Sequence, residues 1–381
     1  MGKKVISAGH ICLDITPVFP GGHYDSAEDI LEPGRLIQMD EADVHIGGSV
    51  GNTGLAMKIL GADVSLIART GDDIFGEIVL SNLKKYGADE AMRMVLGGTT
   101  AHSVILAIPG IDRIFLHHPG VNDSFSKEDI SEDLLKDTSL FHLGYPSVMK
   151  GLYTNEGEEL LNILKKVKKQ GTVTSVDMAA IDENSPAAEE NWKNILQKVM
   201  PYIDVFMPSV EELCYMLDRP RLRQWKERAA GRDITESLDM ENDVRPLADM
   251  CLNMGAKILV IKCGVRGMYY CTADESNIAA ISEPLDLKVV EWSNQKGFEE
   301  SYQPDKFLSG TGAGDTSIAA FLTALLTGYS LKECVQLAAA TGASCVAAYD
   351  ALSGLKSFEE LEQKIKAGWQ KIKMQRKEGK Q

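Results

Sequence analysis

Short runs rich in valine and isoleucine alternate along this chain with helical patterns that stop at glycine, and no other feature restricts its fold so strongly. Val5–Ile11, Val64–Ala68, Ser103–Ile108, Val173–Val176, Val205–Met207 and Ile258–Ile261 read as strands. Asn52–Leu60, Glu77–Lys85, Glu156–Lys169 and Leu247–Met254 carry apolar residues at helical spacing and end at Gly61, Gly87, Gly171 and Gly255. Glycine accepts the left-handed backbone that closes a helix, so it is a natural stop signal. Strands alternating with helices of this length imply βαβ units and a mostly parallel sheet. Such a sheet binds ligands beyond the carboxyl ends of its strands. At 381 residues the chain suits one large α/β domain, taken here as 1–381.

Two stretches interrupt this rhythm. Residues 13–46 and 92–120 read as β-hairpin material. In the second, Thr100–Ile108 and Arg113–His118 alternate and are joined by a turn around Pro109, Gly110 and Asp112. They form either an antiparallel edge of the main sheet or a small sheet covering the active site. Residues 218–245 are a charged insertion, read as a solvated helix and loop. A second insertion, 283–305, carries Trp292, Phe298 and Tyr302 among polar residues. Lys364–Gln381 reads as a basic, fraying helix.

The formal net charge of -15 argues against general nucleic-acid binding, which needs a basic face. Seven scattered cysteines, with no CxxC pair, read as reduced thiols of a cytoplasmic protein. The start, MGKKVISAGHICLDI, lacks the apolar core of a signal peptide, and no apolar run reaches the roughly 18 residues of a membrane span. All seven histidines lie within the first 142 residues, and no HExxH pair suggests zinc.

The chemistry is concentrated in two glycine clusters. Ser309-Gly310-Thr311-Gly312-Ala313-Gly314-Asp315-Thr316 runs straight into a small-residue helix, Ser317–Leu326. Glycine and alanine leave backbone N–H groups uncovered, and at a helix start these groups lack internal partners. With the helix dipole they make an anion site suited to phosphate. A carboxylate at 315 would be kept ionised by the same N–H groups and so be able to take a proton from an attacking hydroxyl. The plainer alternative is a turn with Asp315 as an ordinary first-turn acid. The second cluster, Gly47-Gly48-Ser49-Val50-Gly51-Asn52, lets backbone approach a ligand. Asn52 then opens a helix, either as its cap or as a donor and acceptor for a sugar hydroxyl. Neither cluster is a Walker loop or a GxGxxG fingerprint.

Together the clusters resemble the PfkB carbohydrate kinases, the ribokinase-like family. The resemblance covers nearly the whole chain. It includes Asp14, GGSVGN at 47–52, LGADVSLIARTGDDIFG at 60–76, IKCGVRGMYY at 261–270 and GTGAGD at 310–315. It implies a three-layer α/β/α fold with a small β-sheet lid built from 13–46 and 92–120, which often also forms a homodimer interface. It implies ATP-dependent phosphorylation of a sugar hydroxyl, with Asp315 as catalytic base and Gly312, Ala313 and Gly314 as the anion hole. Asp14, Gly48 and Asn52 would hold sugar hydroxyls. Lys262, Gly264, Gly267 and Thr311, with the helix around Ala339–Ala347, would bind ATP. Two departures stand out. The family's Asn-x-x-Glu is here Ser209-Val210-Glu211-Glu212, with Glu212 kept for Mg²⁺ through water or serving only in a helix's first turn. Ser309-Gly310 replaces the family's Asp-Thr, which argues against a potassium requirement.

Asp177, at a strand end, sits where such sheets place ligand groups, and Arg113, His117 and His118 lie on the expected lid. Arg69, Arg93 and Arg113 are the candidates for holding a phosphate already on the acceptor. A nucleoside kinase is the neighbouring reading and would need an aromatic or apolar base pocket, for which Phe115 and Phe125 are available. A non-catalytic sugar or nucleotide sensor on the same fold is the reading from another class.

Overall fold

The computed structural model describes residues 2–111 and 113–372. In chain order its strands are β1 (Lys4–Gly9), β2 (Cys12–Val18), β3 (Asp40–Gly47), β4 (Asp63–Ile67), β5 (Arg69–Gly71), β6 (Arg93–Val95), β7 (His102–Leu106), β8 (Ile114–His118), β9 (Thr138–Gly144), β10 (Val173–Val176), β11 (Val205–Phe206), β12 (Ile258–Lys262), β13 (Gly267–Thr272) and β14 (Lys296–Glu300). The main sheet has the order β14-β13-β12-β11-β10-β9-β1-β4. Its strands from β4 to β12 are parallel, and β13 and β14 add an antiparallel edge.

The sheet is apolar on both faces, and strict alternation sorts its side chains. Val5, Leu140, Val173, Val205, Ile258 and Val260 join a core with the helices Glu275–Leu285, Ala313–Leu326 and Leu331–Cys345. Ile6, Phe141, Leu143, Val176, Phe206, Leu259 and Ile261 join the opposite core with the helices Lys150–Lys169, Trp192–Val199, Val210–Leu217 and Arg245–Met254. Each such side chain contributes about 1.5–3 kcal/mol when fully buried. Covering both faces with helices gives the expected three layers.

The two interrupting stretches meet in one separate sheet of order β3-β2-β7-β8. β2 pairs antiparallel with β3 and parallel with β7, and β7 pairs antiparallel with β8. This settles the alternative of an edge on the main sheet, whose edge positions are taken by β4 and β14. β8 is exposed along its length, so its residues have no layer to pack under. Asp112, in the turn before it, lies outside the described residues.

Several boundaries differ from expectation. Helical structure begins at Val50, as a wide turn over Val50–Gly54 that leads into the helix Leu55–Ile59, so Asn52 lies inside the run and does not cap it. The charged insertion is not simply solvated. Its helix Arg219–Ala229 buries Leu222, Trp225 and Ala229, and Trp225 Nε1 donates to Asp243 Oδ1 at 3.0 Å. The second insertion supplies β14 and buries Trp292 and Tyr302. The last helix is Phe358–Lys366, ending before Gly368, and Lys371 then reaches Glu299. Residues 373–381 of the expected basic helix lie outside the described residues. All seven cysteines are buried and free, as expected of reduced thiols.

Candidate active site

The parallel strands deliver their carboxyl ends to one edge of the sheet, and polar residues collect there. His10 follows β1, Tyr145 follows β9, Asp177 follows β10 and Lys262 ends β12. The helix Ala313–Leu326 starts at the same edge. Its N-cap is Gly312, with φ +71°, and no side chain caps it. A Cβ at Gly312 would overlap the side chain of Ala351, so both conformation and space demand glycine. The first-turn N–H groups therefore face the edge without a side-chain cap, Ala313 N reaching Gly310 O at 3.4 Å.

Asp315 lies in that first turn and is 6% exposed. Its carboxylate is held from two sides. Asn52 Nδ2 donates to Oδ2 at 2.8 Å, and the Tyr145 hydroxyl donates to Oδ1 at 2.6 Å. The two glycine clusters, 263 residues apart, thus meet through Asn52 and Asp315. Burial pushes the Asp315 carboxyl up from its ordinary range, while Lys262, Tyr145 and Asn52 pull it down. In place of the backbone N–H groups expected from the sequence, side chains from other elements oppose the shift that burial imposes.

Lys262 is the cation of the site. Its side chain runs past Gly314, where a Cβ would stand 3.5 Å from Lys262 Cδ. Asp177 is fully buried, and burial raises its carboxyl well above the usual range. Burial also raises Glu212. Lys262 opposes both shifts, as it does for Asp315. Backbone pairing supports this placement, because Lys262 N donates to Pro208 O and Lys262 bridges Ser209. Glu212 closes a capping box with Ser209: Ser209 N donates to Glu212 Oε2 at 2.7 Å, and Glu212 N donates to Ser209 Oγ at 3.2 Å. Glu212 is thus a helix cap, and its carboxylate also feels the Lys262 charge.

The small sheet contributes from above. Asp14 on β2 is buried, accepts from Cys12 Sγ at 3.2 Å and lies 3.9 Å from His45 Nε2. A Cβ at Gly47 would overlap the Asp14 carboxylate, and one at Gly48 would lie 2.6 Å from His10 Nδ1. His10 and His117 meet at 3.2 Å between their Nε2 atoms, and Ser103 Oγ lies 3.1 Å from His117 Nδ1. Burial and the neighbouring His117 lower His10 to about 3, so this contact joins a neutral imidazole to the small sheet. Arg113 bonds Thr311 Oγ1 and so spans from the small sheet to the glycine turn.

The sequence candidates sort clearly. Asp315, Asn52, Gly312, Ala313, Gly314 and Lys262 come together, with Asp14 and Gly48 at the base of the small sheet. Gly264 and Gly267 pack instead against the insertions, at Thr235 and at Glu299. Arg69 and Arg93 are both paired with the buried carboxylate of Asp129. Phe125 is buried in the main core and lines no base pocket on the small sheet. Tyr145 was missed altogether. The signal that would have found it is Gly144-Tyr145-Pro146 directly after an apolar run at a strand end.

Behind the glycine turn, a cleft of about 540 Å³ is lined by Ala343, Ala347, Ala348, Gly354, Leu361 and the cations Lys306, Lys356 and Lys364, among others. It adjoins the turn, since Leu308 N donates to Val346 O and Cys345 Sγ to Thr311 O. Among the described residues no cluster of three or more His, Cys, Asp and Glu is arranged to hold a metal ion, and no helix is long and apolar enough to cross a membrane.

Residues 11–357 match the model of the pfkB family carbohydrate kinases. The chain is 25% identical to a 5-dehydro-2-deoxygluconokinase of Clostridium perfringens, over 95% of this chain and 92% of that one. It is 21% identical to a probable fructokinase of Arabidopsis thaliana, over 96% and 98%. Among solved structures, a putative ribokinase II from E. coli in complex with ATP and Mg²⁺ superposes with a TM-score of 0.69 at 21% identity, covering 96% of this chain and 99% of that one. A ribokinase of Arabidopsis thaliana complexed with ribose and ATP gives 0.67 at 18%, covering 95% and 98%.

Proposed function

This chain belongs to the pfkB family of carbohydrate kinases, phosphotransferases that act on an alcohol group, and from that premise we propose that it moves the γ-phosphate of ATP to a hydroxyl of a sugar or sugar-like molecule with Asp315 as catalytic base. The observation that carries this reading is the buried Asp315 carboxylate, bound to Asn52 at the start of an uncapped helix.

In this reading the acceptor lies between Asp14, Gly48, Asn52 and Asp315. Asn52 spends its amide N–H on Asp315 and keeps its carbonyl oxygen for a sugar hydroxyl. Asp315 takes the proton of the attacking hydroxyl, and burial, by raising its affinity for protons, favours that transfer. The N–H groups of Gly312, Ala313 and Gly314, with the Lys262 ammonium, stabilise charge on the migrating phosphoryl group. Arg113 and Thr311 close that site from the lid side. The cleft behind Thr311 fits the nucleotide: small apolar residues face a base, and Lys306 and Lys356 stand at its rim, where Lys364 is paired with Asp305. Lys262 bears on the phosphates directly, while Gly264 and Gly267 shape the turn that leaves β12.

Mg²⁺ would supply charge neutralisation at the phosphates here. Asp177 and Glu212 are the carboxylates suited to it. A pair of carboxylates without a third protein ligand fits an ion that keeps its waters. The lid of β3-β2-β7-β8 also offers a homodimer surface, since its edge strand exposes Ile114, Phe115 and Leu116.

The test is ADP release with a panel of acceptors, beginning with 5-dehydro-2-deoxygluconate, fructose and ribose and extending to nucleosides. Release with a sugar or sugar acid is expected. Release with nucleosides alone would replace this reading by a nucleoside kinase, and no acceptor-dependent release by a sensor.

A further inference from the structure

The strand β9 ends in Gly144-Tyr145-Pro146, and its exit from the sheet is tightly constrained. A Cβ at Gly144 would overlap the side chain of Ser49. Pro146 pushes the residue before it out of the right-handed helical region. Tyr145 takes φ 63° and ψ 38°, a left-handed conformation that a bulky side chain seldom adopts. Such a backbone persists only where its surroundings overdetermine it, and these positions gather at active sites.

The conformation aims the side chain. The Tyr145 ring lies against His10, with centroids 5.9 Å apart, and its hydroxyl donates to Asp315 Oδ1 at 2.6 Å. Asn52 occupies Oδ2. Each carboxylate oxygen therefore holds one donor and keeps a lone pair for a further partner. A phenylalanine would fill the same volume, so only the hydroxyl distinguishes a role toward Asp315 from simple packing.

We infer that Tyr145 is the positioning residue of the base: its hydroxyl fixes the rotation of the Asp315 carboxylate and favours the ionised form. The inference rests on the reading of Asp315 as base. The groups that share this environment are His10 after β1, Asp14 and Cys12 on β2, Asp177 after β10, Glu212 in the helix Val210–Leu217, Lys262 at the end of β12 and Cys345. Burial and these neighbouring acids push the Tyr145 hydroxyl well above its ordinary range, so it remains a donor across the working pH.

The experiment is the pH dependence of kcat for Tyr145→Phe, measured beside Asp315→Asn. Loss of one hydrogen bond to a charged group predicts a fall in kcat of about 10- to 100-fold, with the ATP KM within about twofold. Removing a donor that favours the carboxylate raises the Asp315 pKa, so the acid limb moves to higher pH. Wild-type kcat, or a lowered kcat with the acid limb in place, overturns the inference while an inactive Asp315→Asn leaves the base reading intact. Full turnover in Asp315→Asn overturns both. Should Tyr145→Phe not fold, a fluorinated tyrosine installed at 145 keeps the shape and strengthens the donor. The acid limb is then expected to move to lower pH, and an unmoved limb counts against the inference.

Discussion

Two helices begin at the carboxyl edge of the main sheet, and they end their first turns in opposite ways. The helix Val210–Leu217 closes on itself through the Ser209–Glu212 capping box. The helix Ala313–Leu326 starts from a glycine with positive φ and has no side-chain cap. Both carry acids in the first turn and both lie near Lys262. On the proposed reading of the glycine turn, a helix dipole alone would not make an anion site. The donors must also be left without an intramolecular acceptor, and the first helix has already satisfied its own.

The largest expected effect lies at the open end. Asp315→Asn should lower kcat by about 10²- to 10⁴-fold, the range of general-base catalysis, with little change in ATP affinity; steady-state ADP release checks it. The same variant should be more stable than the parent near pH 8. The folded-state pKa of Asp315 is raised above its unfolded value, so the folded protein binds the proton more tightly and loses that advantage as pH rises through the folded pKa. Asparagine removes that penalty, and thermal melts at pH 8 and pH 3.5 should show a gain only at the higher pH.

Gly312→Ala should come next. The added methyl meets Ala351 and the left-handed backbone resists it, so a stability loss of about 1–3 kcal/mol and a raised ATP KM are expected. Gly310→Ala is the control, because its Cβ has only Arg113 in reach, at 3.5 Å. Lys262→Met should then shift the acid limb of kcat/KM to higher pH, since Asp177, Glu212 and Asp315 lose the charge that opposes their burial. A pH–rate profile decides this. The smallest effect belongs to the closed end. Ser209→Ala should cost about 1 kcal/mol by denaturant titration, as cap removal does, and change kcat by less than about threefold. A larger kcat loss there would erase the contrast between the two helices.

Much of this site was legible in the sequence, and the exceptions share a cause. GTGAGD and GGSVGN were readable because glycine reports a backbone requirement that survives without knowledge of neighbours. Lys262 was reached only through the family resemblance, as part of the segment expected to bind ATP. The pairing of Arg69 and Arg93 with Asp129 could not be read, because that partner is supplied by another segment. β9 is absent from the expected strands: its run TSLFHLG has leucine and phenylalanine in place of valine and isoleucine, and a histidine in the middle. With β9 went Tyr145, the residue that reaches Asp315 across 170 positions. Asn52 was expected at a helix start, yet the wide turn at Val50–Gly54 carries it inside the run and frees its side chain for Asp315.

The sequence by itself determined the alternation of strands and helices, the carboxyl edge as the place where polar residues gather, and the glycine turn that opens the helix Ala313–Leu326. These are local properties, set by side-chain periodicity and by where glycine stands. Only the tertiary structure decided how the Asp315 carboxylate is held, that Lys262 serves three buried acids, and that the two irregular stretches close into one sheet above them. Those outcomes depend on burial and on charges brought within a few ångströms from distant segments, and electrostatic energy in a desolvated edge is a property of the assembled neighbours and not of any one stretch of chain.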